Sequence, residues 1–278
     1  MSSSSQIDAV VENDFLRSQF VFGLIADAYQ HQPRRPSSNF SSIPRTLIQY
    51  WHDFHELPED VNSCLSSWDS WLKRNRITRA LFDDVKAKEF IANHFDKDHS
   101  DAFRLCHHPA MRCDYFRLCY LSKNGGFYLD ADEEYQGARL DHLFAGSSLK
   151  LQPLCFDLSQ CQMVSAEEFL CEKVCSDKRI YYINNNPLIA PKNHPVIQRA
   201  LDQSTRKLLN TPKPHDIQAT TGPGNLTAGL VGYCIENYIS SLNNTFEFIF
   251  NWDSISLSKW PLSYRSDDRN WRLWIPPT

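Results

Sequence analysis

Two aspartates, Asp130 and Asp132, stand one residue apart directly after the apolar run 127-FYL-129. Such a run is typical of a short buried strand, and open α/β sheets bind their ligands at the carboxyl ends of strands. Two carboxylates at this junction can approach one hard cation, and Mg²⁺ and Mn²⁺ prefer oxygen ligands. We therefore predict a site for Mn²⁺ or Mg²⁺, which can bridge the two phosphates of a nucleoside diphosphate.

Two other metal sites also contain an Asp-x-Asp sequence. A calcium EF-hand loop requires glycine at its sixth position, where this chain has Tyr135. A haloacid-dehalogenase-type phosphatase places its nucleophilic aspartate after a similar strand, and continues with Thr or Val where this chain has Glu134. The EF-hand fits poorly, and a metal-dependent phosphatase remains the less favoured enzyme alternative.

A helix is predicted immediately before this strand, over 109-PAMRCDYFRLCYLSKN-124. Proline suits the first helical turn, where its missing N–H would have no partner, and the pair 125-GG-126 ends the helix. Asp114 and Arg117 lie three residues apart on this helix and therefore share a face. The glycine pair then turns the chain into the strand that leads to Asp130.

Strands alternate with helices along the rest of the chain, which favours an α/β sandwich around a mostly parallel sheet. Residues 1–30 have the apolar stripe of a helix, and 31-HQPRRPSSNFSS-42 is typical of a linker. We therefore predict an N-terminal helical extension over 1–42 and one catalytic domain over 43–278. The other predicted elements are strands at 43–51, 180–183 and 188–190 and helices at 61–74, 83–95 and 195–209.

Composition restricts the partners and the compartment. The net charge is −4 and the 29 basic residues are scattered, whereas nucleic-acid binding needs a basic face, so we predict no nucleic-acid partner. The nine cysteines are odd in number and none forms a Cys-x-x-Cys pair, which favours reduced thiols and a cytoplasmic protein. No signal pattern and no apolar stretch of ~20 residues is present, so no transmembrane segment is predicted.

The string D-x-x-R-x-x-x-L…G-G-x-Y-x-D-x-D, from Asp114 to Asp132, resembles glycosyltransferase family 32. That family includes yeast initiating mannosyltransferases and bacterial capsule-sugar transferases, and is similar at its core to the clostridial glucosylating toxins. Three further stretches resemble family motifs in the same order: 43-IPRTLIQYW-51, 184-NNNPLIAPKNHP-195 and 221-TGPGNLT-227.

The resemblance implies a GT-A fold, which is a Rossmann-like sandwich, and transfer of a hexose from a UDP- or GDP-sugar to a hydroxyl acceptor with retention. The acceptor could be a glycan, a lipid or a protein. By the same resemblance, Asp132 ligates the metal and Asp130 contacts the ribose and metal-bound water. Asp114 and Arg117 hold hydroxyls of the donor sugar, and Asn185 lies beside the transferred sugar.

For the nucleotide, the resemblance implies that Trp51 stacks on the base and that Tyr128 lines the site. Without the motif, Trp51 on an apolar strand is more typical of a core residue than of a binding residue. Gln49 replaces the histidine of the family's opening strand. For the family's C-terminal Ser-Trp or Ser-x-Trp, which supplies a metal ligand and a diphosphate contact, we predict Asn270 and Trp271 as counterparts.

A catalytically silent domain that binds a nucleotide sugar is the alternative of another class. It would keep the fold and lose some of the polar residues that act on the donor. The presence of Asp114, Arg117, Asp130 and Asp132 together favours the enzyme.

Overall fold

A computed structural model of the chain describes residues 3–30, 41–172, 174–210, 216–237, 245–259 and 261–275. Its strands form a seven-stranded sheet and a separate two-stranded sheet. The larger sheet contains β1 (Thr46–Tyr50), β2 (Thr78–Phe82), β3 (Gly126–Tyr128), β5 (Leu149–Asp157), β6 (Gln162–Val164), β7 (Arg179–Ala190) and β8 (Phe246–Phe248). The smaller sheet contains β4 (Glu133–Tyr135) and β9 (Ser256–Ser258).

The larger sheet has the order β2-β1-β3-β7-β5-β6, with β8 paired to β5. Strand β1 is parallel to β2 and β3, and β8 is parallel to β5, whereas β7 is antiparallel to both β3 and β5. Strands β1, β2, β3, β5 and β8 therefore run in one direction, and β6 and β7 run in the other. The predicted α/β sandwich around a mostly parallel sheet is confirmed.

Helices cover both faces of the sheet. They are α1 (Ser3–Glu12), α2 (Asp14–Gln30), α3 (Glu59–Ser67), α4 (Asp69–Asn75), α5 (Asp84–His94), α6 (Lys97–Leu105), α7 (Pro109–Asn124), α8 (Ala166–Glu172), α9 (Pro195–Asn210), α10 (Ile217–Thr220) and α11 (Pro223–Glu236). Successive residues of β3 point to opposite faces, so Phe127 and Tyr128 belong to two different hydrophobic clusters. None of the helices in these ranges is long and apolar enough to cross a bilayer.

Several sequence-predicted elements have different bounds in the structure. The helix expected over 61–74 is broken at Trp68, which is fully buried and donates its indole N–H to the carbonyl of Glu133 at 2.9 Å. The two short strands expected at 180–183 and 188–190 are parts of one strand, β7. The intervening 184-NNNP-187 has the composition of a loop, but it continues the strand between β3 and β5.

The turn between α7 and β3 requires both glycines. Gly125 and Gly126 have φ values of 70° and 120°, which side chains rarely tolerate. A Cβ on Gly125 would lie 2.6 Å from the backbone nitrogen of Lys192, and a Cβ on Gly126 would lie 2.8 Å from Cδ1 of Ile48. This pair therefore sets the close approach that places β3, and hence Asp130, at the end of the sheet.

The two-stranded sheet brings the C-terminal part of the chain to the Asp130–Asp132 loop. Strand β4 begins at Glu133, one residue after Asp132, and pairs antiparallel with β9. The backbone N–H of Lys259 donates to the carbonyl of Asp132 at 3.1 Å. Residues 261–275, here called the C-terminal strap, then lie against the same loop.

The N-terminal helices pack into the hydrophobic core formed with the larger sheet. Val21 and Ile25 of α2 are fully buried, and Phe22 contacts Tyr181 of β7 with ring centroids 4.8 Å apart. The hydroxyl of Ser18 accepts the backbone N–H of Tyr181 at 2.9 Å. The extension therefore belongs to the same hydrophobic core as the sheet, while most of the predicted linker, residues 31–40, lies outside the described residues.

We predict that the N-terminal extension stabilises the fold without contributing to the chemistry, since every matched motif begins at or after Ile43. Ile25→Ala should lower the free energy of unfolding by roughly 2–5 kcal/mol, because it leaves a cavity at a fully buried position. Phe15→Ala is the matched control on the same helix, since Phe15 is exposed. Denaturant melts check the difference, and equal stability of the two variants would contradict the packing.

Candidate active site

A cavity of about 670 Å³ opens at the carboxyl ends of β1 and β3. Its position is where ligands bind in open α/β sheets. Eight of the nine side chains predicted for the site line this cavity, although they come from distant parts of the chain: Trp51, Asp114, Arg117, Asp130, Asp132, Asn185, Asn270 and Trp271. The ninth, Tyr128, is fully buried behind them.

Arg117 is the centre of the buried polar network. It is 3% exposed, and its guanidinium donates to the Asn185 carbonyl at 2.6 Å and to Oδ1 of Asp130 at 2.9 Å. The same Nη2 lies 3.0 Å from Oδ1 of Asp114. The face of the guanidinium lies over the Tyr128 ring, 4.3 Å from its centroid. One cation thus fixes the positions of two carboxylates and a strand carbonyl.

Asp114 is held at the cavity wall by neutral donors as well. The Asn185 amide donates to its Oδ1 at 2.8 Å, and the Thr221 hydroxyl donates to its Oδ2 at 3.4 Å. Burial raises the pKa of Asp114 to about 6, although Arg117 acts in the opposite direction. A carboxylate oriented in this way can accept a hydrogen bond from a sugar hydroxyl.

Asp130 is positioned from three sides. Its Oδ1 accepts from Arg117 and, at 3.0 Å, from the Tyr128 hydroxyl, and its backbone N–H donates to Oδ1 of Asn186 at 2.9 Å. Its Oδ2 accepts no hydrogen bond from the described part of the chain. Tyr128 is thus placed behind Asp130 rather than in the cavity wall, because it is 0% exposed beneath Arg117.

Asp132 is mostly buried, with 13% of its side chain exposed. Its Oδ2 accepts from the Tyr264 hydroxyl at 2.7 Å and is ion-paired with the guanidinium of Arg265. Burial raises the pKa of Asp132, and the neighbouring carboxylate of Asp130 raises it further. Its Oδ1 accepts no hydrogen bond within the described ranges, so each aspartate of the motif keeps one oxygen available.

A second buried carboxyl, Glu133, supports the loop. It accepts the Asn186 amide at 2.9 Å on Oε1 and the Ser256 hydroxyl on Oε2. Burial raises the pKa of Glu133 to about 8, with a further contribution from Asp132. Because Asn186 in turn binds the backbone of Asp130, this chain of contacts ties the loop to β7 and to β9.

Trp51 combines features of a core residue and of a binding residue. It is 8% exposed, packs on Val61 and Leu65, and meets the Tyr264 ring edge-on at a centroid distance of 5.2 Å. It also lines the cavity, and its indole N–H is buried without a partner among the described residues. Its packing leaves the stacking role a prediction.

The structure favours Ser258 over the predicted Asn270 as the counterpart of the serine in the C-terminal Ser-x-Trp motif. The amide of Asn270 donates to the Arg265 carbonyl at 2.8 Å, and its oxygen accepts the N–H of Arg272 at 3.2 Å, so it holds the strap together. Ser258 is linked to the Asp130–Asp132 loop through Arg265, because its Oγ is 3.5 Å from the Arg265 nitrogen that pairs with Asp132. The sequence 258-SKW-260 fits Ser-x-Trp and was the overlooked signal; Trp260 lies outside the described residues.

The aspartate loop could hold a metal only with help from other ligands. No group of three or more His, Cys, Asp and Glu side chains in the described ranges has the geometry of a metal site. Mg²⁺ is commonly bound by one or two carboxylates together with substrate phosphates. The two available oxygens of Asp130 and Asp132 fit a cation of this kind, whose charge would also relieve the repulsion between them.

Four other polar residues of the strap belong to the site, although they were not predicted from the sequence. Tyr264, Arg265, Arg269 and Arg272 all line the cavity. The Arg272 guanidinium lies over the Trp271 ring, 4.6 Å from its centroid, and Arg269 is paired with Asp267. Three arginines within eight residues were the available signal, since a diphosphate requires nearby positive charge.

One family model matches the part of the chain that contains Asp130 and Asp132. Residues 40–141 match the family model described as "Glycosyltransferase sugar-binding region containing DXD motif". The matched solved structures include one titled "PaToxG Glycosyltransferase", at 13% identity and a TM-score of 0.48, with 85% of this chain and 83% of that chain covered. A comparison with curated proteins gives no match.

Proposed function

We propose that the chain, whose residues 40–141 match the family model for the sugar-binding region of DXD-containing glycosyltransferases, transfers a hexose from a UDP- or GDP-sugar to a hydroxyl acceptor. We propose that the reaction requires Mn²⁺ or Mg²⁺ and retains the anomeric configuration. The observation that carries this proposal is the pair of available oxygens, on Asp130 and Asp132, at the wall of one cavity beside a buried Asp114–Arg117–Asn185 network.

The metal would be held by Asp132 and Asp130, with Ser258 a better third candidate than Asn270. When bound, the cation would supply positive charge to the diphosphate as it leaves. Asn270 is less suitable because its oxygen already accepts the N–H of Arg272. The 258-SKW-260 sequence supports Ser258, which faces the cavity from β9.

The donor sugar would lie over the buried network. Asp114 would accept a sugar hydroxyl, and Arg117 would fix Asp114 and Asp130 in place. Asn185 would lie beside the transferred sugar, with its amide already oriented by Asp114. Positioning and electrostatic support of this kind lower the barrier without a covalent step. No side chain of the motif is a convincing nucleophile, and a front-face reaction needs none.

The compartment is a further part of the proposal. The nine cysteines are free thiols, and five of them are buried. Free thiols favour a reducing compartment. We therefore propose a cytoplasmic site for the reaction.

Slow hydrolysis of the donor in the absence of acceptor tests the proposal. A panel of UDP- and GDP-hexoses with Mn²⁺ should yield free sugar and nucleoside diphosphate, and excess chelator should reduce the rate to background. Release of inorganic phosphate instead would indicate the phosphatase alternative, and binding without turnover of any donor would indicate the silent domain. Undiminished hydrolysis in chelator would contradict the metal requirement.

Trp51→Ala is expected to weaken nucleotide affinity by roughly 1–3 kcal/mol if the indole stacks on the base, by analogy with nucleic-acid sites. Trp51→Phe should recover much of that loss. Titration with UDP and GDP gives the affinity, and a denaturant melt of the same variant gives stability. Since Trp51 also packs on Val61 and Leu65, the alanine variant should lose stability as well. Unchanged nucleotide affinity in the folded fraction would contradict the stacking role.

A further inference from the structure

The C-terminal strap places a positive charge where the proposed metal would bind. Nη2 of Arg265 is ion-paired with Oδ2 of Asp132 and lies 3.5 Å from Oγ of Ser258. The proposed function assigns the carboxylate of Asp132, through its available Oδ1, and the hydroxyl of Ser258 to the cation, so this nitrogen contacts the same two groups. A single nitrogen in contact with both has the charge and the position of a stand-in for the metal.

We propose that Arg265 is the placeholder cation of this site: it neutralises Asp132 until the divalent cation binds, and then moves to the diphosphate of the donor. This inference rests on the proposed function, because it assumes that Asp132 binds the metal. It adds a competition between Arg265 and the metal for one carboxylate, which couples metal binding to donor binding.

The burial of Asp132 explains why a placeholder is needed. Its side chain is 13% exposed and lies next to the Asp130 carboxylate. A buried carboxylate without a countercharge is strongly unfavourable. Arg117 is already ion-paired with Asp130 and Asp114, so Arg265 is the arginine that neutralises the charge of Asp132.

The exchange needs only a movement of the side chain, because the strap is anchored at other points. The backbone N–H and the hydroxyl of Ser263 bind the carboxylate of Asp60 at 2.6 and 3.0 Å. Further along, the carbonyl of Asp268 lies 2.8 Å from Nε2 of His108. Arg265 lies between these anchors, so its guanidinium can change partners while the backbone of the strap stays in place.

A guanidinium released from Asp132 would remain beside the leaving group. Arg265 and Arg272 both line the cavity that contains the aspartate loop. Phosphate oxygens accept bidentate hydrogen bonds from guanidinium groups. The same residue would therefore oppose metal binding in the empty enzyme and favour the donor once the metal is bound.

The test measures two affinities that should change in opposite directions. In Arg265→Ala, Mn²⁺ alone should bind about ten-fold more tightly than in the wild type, whereas UDP or GDP in saturating Mn²⁺ should bind about ten-fold more weakly. Calorimetric titration gives both values without any turnover. Arg265→Lys keeps the charge, so both of its affinities should lie between those of the wild type and those of Arg265→Ala. Arg269→Ala is the control on the same strap, since Arg269 pairs with Asp267, and it should change Mn²⁺ affinity less than about two-fold.

Each other outcome overturns the placeholder role. Mn²⁺ affinity that is unchanged or weaker in Arg265→Ala would show that Arg265 does not compete with the metal. An equal gain of Mn²⁺ affinity in Arg269→Ala would show that the effect comes from the net charge of the strap and not from Arg265 itself. If neither the wild type nor any variant binds Mn²⁺, both the metal-dependent function and the placeholder role are contradicted. If all of them bind Mn²⁺ with the same affinity, only the placeholder role is contradicted.

Discussion

Asp132→Asn should reduce donor hydrolysis by at least about 10²–10³-fold, by analogy with the loss on removing one oxyanion-hole donor. The substitution keeps the shape and the acceptors for Tyr264 and Arg265, but it removes the charge that would bind the metal. Hydrolysis of the donor and a thermal melt of the same protein are the measurements.

The fold should survive this change for a reason that the sequence did not reveal. Asp132 is mostly buried, and its pKa is raised by burial and by the neighbouring carboxylate of Asp130. An amide removes that repulsion, which offsets the weaker contact with Arg265. Glu134→Gln is the control, because Glu134 lies two residues after Asp132 and pairs with Lys259 instead. This substitution should leave the hydrolysis of the donor unchanged. An unfolded Asp132→Asn protein would point to a structural role.

Local signals predicted the elements that deliver the aspartates. The structure begins α7 at Pro109 and ends it at Asn124, as expected from the proline and the glycine pair. Strand β3 ends at Tyr128, two residues before Asp130. These features depend on residues adjacent in sequence, whose conformational limits are the same in any fold.

Long-range pairings were beyond the same reasoning. The strap residues Tyr264 and Arg265 reach Asp132 only because β9 pairs with β4, and each of these strands is three residues long. Strands this short have no periodicity to detect. The packing of α2 on β7 was equally hidden, since an apolar stripe shows that a helix is buried but not what covers it.

Arg117→Ala should cause the largest loss of stability at the site, roughly 3–5 kcal/mol, because it leaves the buried carboxylate of Asp114 and the half-buried carboxylate of Asp130 without their countercharge. Arg117→Met fills more of the space and separates the effect of charge from that of a cavity. In the background of Asp114→Asn, the cost of Arg117→Met should be smaller, since one of the two carboxylates is then neutral. Urea melts of the four proteins give the interaction energy.

The pH dependence supplies an independent check on the same countercharge. The pKa of Asp114 in the folded protein is about 6 and lies above its ordinary value because of burial, so its ionisation costs stability as the pH rises through that value. Removing Arg117 takes away the group that lowers this pKa, which increases the cost at high pH. Arg117→Met should therefore be less destabilised relative to wild type at pH 5.5 than at pH 8. A difference that does not depend on pH would mean that Arg117 acts by packing on Tyr128 rather than by charge, and Arg117 would then have no part in setting the charge of the sugar site.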